Sequence, residues 1–208
     1  MIEVTDLVKQ YGQKTAVDHI SFKIKPGEIV GFLGPNGAGK STTMNIITGC
    51  LSATSGRVRI DGHDIFEEPG AAKRLIGYLP EQPPLYLNET PVEYLRFVGE
   101  AKGLRGGALE RQIAEVVEQT RLTGVRHRCI SALSKGYRQR VGIAQALLGS
   151  PRVIILDEPT VGLDPLQIIE IRELILKLNR ERRITFLLSS HILDELSRLA
   201  TPYGFIDS

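Results

Sequence analysis

The sequence predicts an α/β protein with a mostly parallel core sheet, an N-terminal antiparallel β part and an inserted all-helical part. Three observations predict it. A glycine-rich loop, Gly34 to Ser41, stands between an apolar β-prone run and a helical run. Short apolar runs separated by turn residues fill the opening of the chain, and helical periodicity takes over after Thr90. From Val153 onward strand and helix alternate, as parallel strands with crossover helices require.

Taken in order, apolar runs at residues 2–8, 19–24, 28–33 and 57–60 read as strands, with Pro26-Gly27 and Asp61-Gly62 as turns. A further run at 75–79 leads into a proline-broken loop at 80–84. Thr90-Pro91 opens a helix, a cap residue followed by proline in the first turn. Leu109, Ile113, Val116 and Val117 mark the buried stripe of the next helix. A third helix is expected over 134–148. Then follow a strand at 153–156, a helix over 165–183 with Ile168, Ile171, Ile175 and Leu178 inward, and a strand at 184–188. A helix over 192–200 and a last strand at 203–206 close the chain, with Asp207-Ser208 in a turn.

The chain has 208 residues and reads as a single domain over 1–208. Residues 1–80 and 150–208 form the core with its β part, and residues 81–149 form the helical part. A content of 42% hydrophobic residues supports a sizeable core, and 24% charged residues is ordinary for a globular protein. The net charge of +2 argues against general polyanion affinity, and no nucleic acid partner is expected. Residues 96–140 are more biased, with ten Lys/Arg against four Glu. That stretch reads first as a solvated face and second as a surface for headgroups or an acidic partner. Cys50 and Cys129 belong to no C-x-x-C pair, which suits a reducing compartment and two structural thiols. His19, His63, His127 and His191 lack metal-ligand spacing. No apolar run approaches the roughly 18 residues needed to cross a bilayer, and no signal peptide is expected. Any membrane role is therefore expected to come through a partner.

The chemistry is carried by two segments. Gly34-Pro35-Asn36-Gly37-Ala38-Gly39-Lys40-Ser41 fits G-x-x-x-x-G-K-[ST]. Its glycines let the backbone aim several N–H groups at one anion, and the helix opening through Thr42 adds its positive dipole end. Lys40 is placed to reach the β- and γ-phosphates of a nucleotide, and Ser41 to offer its hydroxyl to Mg²⁺. The second segment, Val153 to Glu158, is an apolar run ending in two acids. Asp157 at the strand tip suits Mg²⁺ held through water, and Glu158 suits polarising the attacking water. Alone, such a run would be a strand whose acids cap the next helix. With Lys40 and Ser41 it reads as a nucleotide-hydrolysis site. Tyr11 and His191, taken alone, are a turn residue and a loop histidine.

Leu133-Ser134-Lys135-Gly136-Tyr137-Arg138-Gln139-Arg140 resembles the signature motif of ABC ATPases. Asp157-Glu158-Pro159-Thr160-Val161-Gly162-Leu163-Asp164-Pro165 resembles their acidic strand end and D-loop. His191 matches their switch histidine and Tyr11 their base-stacking aromatic. The resemblance covers essentially the whole chain and implies a P-loop NTPase of ABC type that uses ATP and Mg²⁺. It implies that Ser134 and Gly136 bind the γ-phosphate of ATP held by a second subunit, with Arg138, Gln139 and Arg140 supporting the helix. Asp164 would reach across the same interface. His191 would hydrogen-bond the γ-phosphate or the water, and Tyr11 would stack on adenine, a contact worth about 1–3 kcal/mol by analogy with base stacking on nucleic acids. No Asn-Lys-x-Asp guanine reader is present, which favours ATP over GTP.

Departures from the family pattern are specific. Where the family usually has a metal-contacting glutamine, this chain has Glu81, with Gln82 one place later, and either is a candidate metal contact. Lys135 stands where glycine is common and Tyr137 where glutamine is common. These features resemble exporters of drugs, antibiotics and gliding-motility components. Relatives carry at least one more hairpin, so the chain is read as truncated at its C-terminus. The resemblance implies an ATPase subunit pairing with a second one, identical or related, and powering a separate integral-membrane permease from the cytoplasmic face of the membrane. Leu85, Tyr86 and Leu87 either meet that permease or pack the helical part on the sheet. The alternative is a soluble ABC ATPase of translation, DNA repair or cluster assembly. Those chains usually carry two such domains or a coiled-coil insertion, whereas this one has one phosphate loop and no heptad run. A P-loop kinase leaves residues 133–140 and His191 without a role.

Overall fold

The computed structural model describes residues 1–35, 37–193 and 199, and the backbone of 203–205. Two sheets organise it. The first is antiparallel, in the order β2-β1-β4-β5, from β1 (Ile2–Tyr11), β2 (Lys14–Ile24), β4 (Ser55–Ile60) and β5 (His63–Asp64). The second is parallel, in the order β6-β7-β8-β3-β9, from β3 (Ile29–Leu33), β6 (Ile76–Leu79), β7 (Val153–Leu156), β8 (Thr185–Ser190) and β9 (Tyr203–Phe205). The helices are α1 (Lys40–Ile47), α2 (Pro69–Arg74), α3 (Pro91–Ala101), α4 (Gly106–Gln119), α5 (Lys135–Leu147) and α6 (Pro165–Arg182).

The central strands are apolar throughout because both faces are covered. β7 sends Val153 and Ile155 into a core shared with α1 and the antiparallel sheet, where Ile2, Met44, Ile46, Val58 and Ile60 also pack. It sends Ile154 and Leu156 into a second core with α4, α5 and α6, among them Ile113, Val141, Ile143, Ile171 and Ile175. β3 divides likewise, Val30 and Phe32 to the first and Ile29 and Leu33 to the second. Each such buried side chain is worth about 1.5–3 kcal/mol against exposure. The helical part is held close at one point. A Cβ on Gly77 of β6 would overlap the Ala146 carbonyl oxygen of α5, so only glycine lets helix and strand approach this far.

Most expected elements are present with shifted edges. β1 runs on to Tyr11 and β2 begins at Lys14, joined by a tight turn with Gly12 at φ +59°. The Thr90 cap is a full capping box: Thr90 Oγ1 accepts from the Glu93 N–H at 3.3 Å, and Glu93 Oε2 accepts from the Thr90 N–H at 2.9 Å. Leu109, Ile113, Val116 and Val117 are buried as their spacing predicts. On α6 the buried face is Ile171, Leu174, Ile175 and Leu178, with Leu174 taking the place expected of Ile168. α6 ends one residue early because Arg183 adopts a left-handed conformation, φ 57°, that caps it.

The reading missed α2 and β5. Residues 69–74 show no apolar periodicity, and only Ala72 is buried. The two cysteines are corrected: both are exposed, since Cys50 and Cys129 lie just beyond the elements that bury their neighbours. Most of the helix expected over 192–200, and residues 206–208, lie outside the described residues. Among those described, no helix is long and apolar enough to cross a membrane.

Candidate functional site

β7, β8 and β3 are neighbours in the parallel sheet, so their C-terminal ends open side by side. This is where an open α/β sheet binds ligands. The glycine loop leaves β3, Asp157 and Glu158 leave β7, and Ser189 and Ser190 close β8 with His191 directly after it.

The loop is set by its glycines. Gly39 caps α1 at φ 89°, and a Cβ there would overlap the Ala16 carbonyl oxygen of β2. The antiparallel sheet thus presses on the phosphate loop, and no other residue fits. Gly37, also at φ 89°, faces open space. Lys40 is buried and donates from Nζ to the carbonyls of Gly34 at 2.6 Å and Pro35 at 3.1 Å, with Glu158 Oε1 at 3.5 Å.

The acids are equally constrained. The pairing of β7 with β8 continues so that Ser189 lies level with Asp157. Ser189 Oγ donates to Asp157 Oδ1 at 2.5 Å and accepts from the Glu158 N–H at 2.8 Å, so one buried hydroxyl fixes both acids. The Asp157 N–H donates to Leu79 O at 2.9 Å. Glu158 adopts φ 48°, an uncommon conformation for a non-glycine residue and one that turns its side chain off the strand direction. His191 Nδ1 lies 2.9 Å from Glu158 Oε2. Among the described residues Oε1, which is buried, has no hydrogen-bond partner; Lys40 is near it as a charge alone. Leaving a buried polar atom unpaired costs about 1–3 kcal/mol, and here it marks a place that suits a water, which can donate to the carboxylate oxygen.

A cleft of about 390 Å³ joins these groups, lined by Tyr11, Lys14, Ala16, Gly37, Gly39, Lys40, Ser41, Thr42, Glu81 and Glu158. Tyr11 is half-exposed, with Lys9 Nζ 5.1 Å from its ring centre. Between the two candidate metal contacts, Glu81 lines the cleft and Gln82 does not. Asp157 is buried and does not line the cleft, and Asn36 lies outside the described residues. Among the described residues no three His, Cys, Asp or Glu side chains form a metal-binding group. The donors present are the Ser41 hydroxyl, Asp157 and Glu81. That sparse oxygen set fits Mg²⁺, which keeps several waters and takes its other ligands from phosphates.

Ser134 and Gly136 are not part of this cleft. Ser134 is exposed and caps α5, accepting from the Tyr137 N–H at 3.4 Å, and Gly136 is buried beneath Gln167 of α6. Arg138 Nε donates to Leu133 O at 3.1 Å, and Arg140 donates to Glu170 at 2.5 Å and Thr120 O at 3.4 Å, so both brace the helix. Asp164 caps α6, accepting from the Gln167 N–H at 2.9 Å. Tyr86 packs edge-on against Tyr94 and tilted on Phe97; Tyr86, Leu87 and Phe97 are about half-exposed, while Leu85 packs on the core.

Sequence reasoning missed Ser189, Lys14, Ala16 and Tyr78. The two serines ending the apolar run of β8 were a usable sign for the first. Tyr78 Oη donates to Asn45 Oδ1 of α1 at 3.1 Å; burial, and then the nearby Asp157, hold its phenol well above the usual range.

The ABC transporter family profile matches residues 17–161. The bacitracin transport ATP-binding protein BcrA of Bacillus licheniformis is 42% identical over 206 residues, covering 99% of this chain and 66% of BcrA. The lantibiotic transport ATP-binding protein SrtF of Streptococcus pyogenes is 38% identical over 206 residues, covering 99% of this chain and 86% of SrtF. The dimeric structure of MJ0796, a bacterial ABC transporter cassette, superposes with a TM-score of 0.88 at 30% identity, covering 99% of this chain and 94% of that one. The chain thus spans about two thirds of the length of BcrA. The matched stretch takes in both the phosphate loop and the acid-tipped strand, and the chain belongs to the ABC transporter family.

Proposed function

We propose that this chain binds and hydrolyses ATP as one of a pair of ATPase subunits that drive a membrane permease of exporter type. The observation that carries the reading is Glu158: a buried carboxylate at a strand tip, oriented by His191, with one oxygen unpaired beside Lys40. In this role the loop N–H groups and Lys40 bind the phosphates, and Tyr11 stacks on the base. Glu158 accepts a proton from the attacking water, and His191 holds Glu158 in place. Mg²⁺, when bound, would offset phosphate charge, and Ser41, Asp157 and Glu81 are the protein groups that would hold it.

Ser134 and Gly136 lie away from their own cleft, which supports their acting on nucleotide held by a second copy or a related chain. Two ATP molecules would then lie between two subunits. Likeness to a dimeric cassette supports the pairing, and likeness to bacitracin and lantibiotic transport proteins supports an exporter. The half-exposed Tyr86, Leu87 and Phe97 suit a permease segment, which would hold the chain peripherally at the cytoplasmic face. The test is Glu158→Gln. ATP binding is expected to persist, while hydrolysis falls by about 10²–10⁴-fold. Hydrolysis at the unsubstituted rate would defeat the assignment.

A further inference from the structure

We propose that Lys135 is a positioning residue that locks the first turn of α5 to the loop following Glu158, and so holds Glu158 for turnover; the inference rests on the hydrolytic reading above.

Two reciprocal fits join these segments. A Cβ on Gly162 would overlap Lys135 Nζ and lie 3.3 Å from its Cε. A Cβ on Gly136 would lie 2.8 Å from Cδ of Gln167. Each segment therefore offers one bare stretch of backbone and receives one long side chain. Gly162 has φ +68°, so it is glycine for conformation as well as for space. Gln167 is itself fixed, because its side chain accepts from the Asp164 N–H in the cap of α6.

The loop between them is wound tightly. The Val161 N–H donates to Glu158 O at 3.2 Å, and the Leu163 N–H donates to Thr160 O at 3.2 Å. A shift at Gly162 is thus passed to Glu158 within four residues of chain. Electrostatics within the chain do not account for a lysine here. A cation in the first turn opposes the helix dipole, and that turn carries no acid. Among the described residues no carboxylate pairs with Lys135, which is exposed, whereas Nζ and the end of its stem lie against Gly162.

The experiment compares ATP hydrolysis by the unsubstituted chain, Lys135→Ala and Lys135→Arg, with amide hydrogen exchange over residues 159–164. In Lys135→Ala, kcat is expected to fall about ten- to a hundredfold, the scale for a group misplaced by about an ångström. ATP affinity of the single chain, measured by isothermal titration, should stay within about twofold, because Lys135 does not line its own cleft. Exchange over 159–164 should quicken, and Lys135→Arg should restore both readouts. Unchanged kcat in Lys135→Ala overturns the inference alone, as does a loss of nucleotide affinity that matches the loss of rate. If the unsubstituted chain fails to hydrolyse ATP, the underlying reading falls. Hydrogen exchange then decides the contact by itself, and unchanged exchange over 159–164 refutes it.

Discussion

Ser189→Ala removes one oxygen atom and breaks two bonds at the centre of the site. Ser189 is fully buried, and its hydroxyl both donates to Asp157 Oδ1 at 2.5 Å and accepts from the Glu158 N–H at 2.8 Å. The first bond is to a carboxylate and is worth about 1.5–3 kcal/mol; the second, to a neutral amide, about 0.5–1.5 kcal/mol. The two share an atom, so their sum is an upper bound, and about 2–4 kcal/mol is the expected loss. For a chain of this size that lowers Tm by roughly 4–16 °C. Alanine adds no bulk, so strain contributes nothing. Urea unfolding gives the free energy directly, and ATP turnover gives the functional part: with the Glu158 backbone unpinned, kcat is expected to drop about tenfold or more. A loss below about 0.5 kcal/mol, the level of an ordinary surface change, together with wild-type turnover would refute the view that this hydroxyl fixes both acids.

Two further outcomes follow from the geometry. Gly39→Ala forces a Cβ onto the Ala16 carbonyl at φ 89°, and ATP affinity measured by isothermal titration should fall at least tenfold, with Tm lowered as well. His19 Nδ1 donates to Asp6 Oδ1 at 2.6 Å, and that hydrogen bond and the Asp6 charge hold the imidazole above its usual 6.5. The stabilisation from that pair is present below pH 6.5 and is lost as pH rises through the raised value; in a proton NMR titration Asp6→Asn should return the midpoint toward 6.5.

The parts of the fold that repeat a period were legible in the sequence. β3 and β7 are buried on both faces and so read as unbroken apolar runs, and the α4 stripe reads at helical spacing. The residues at the strand tips were legible because the loop motif and the paired acids need fixed neighbours: Lys40, Ser41 and Glu158 all border one cleft. What escaped is whatever depends on two distant segments meeting. Ser189 acquires its role only when β8 pairs with β7, 31 residues from Glu158. Ala16 matters only because β2 presses on Gly39. α2, with one buried residue, leaves no periodic trace at all. The reading of Asp164 as an interface residue did not foresee its use as the cap of α6.

In the proposed pairing, ATP held in one cleft is closed over by Ser134 and Gly136 of another subunit. Sedimentation of Glu158→Gln, with and without ATP and Mg²⁺, tests it most directly, with Glu158→Gln/Ser134→Arg as the paired sample. Twice the single-chain mass is expected only when nucleotide is present, and single-chain mass throughout for the double variant despite intact ATP binding. A double variant that still doubles its mass with ATP would contradict it.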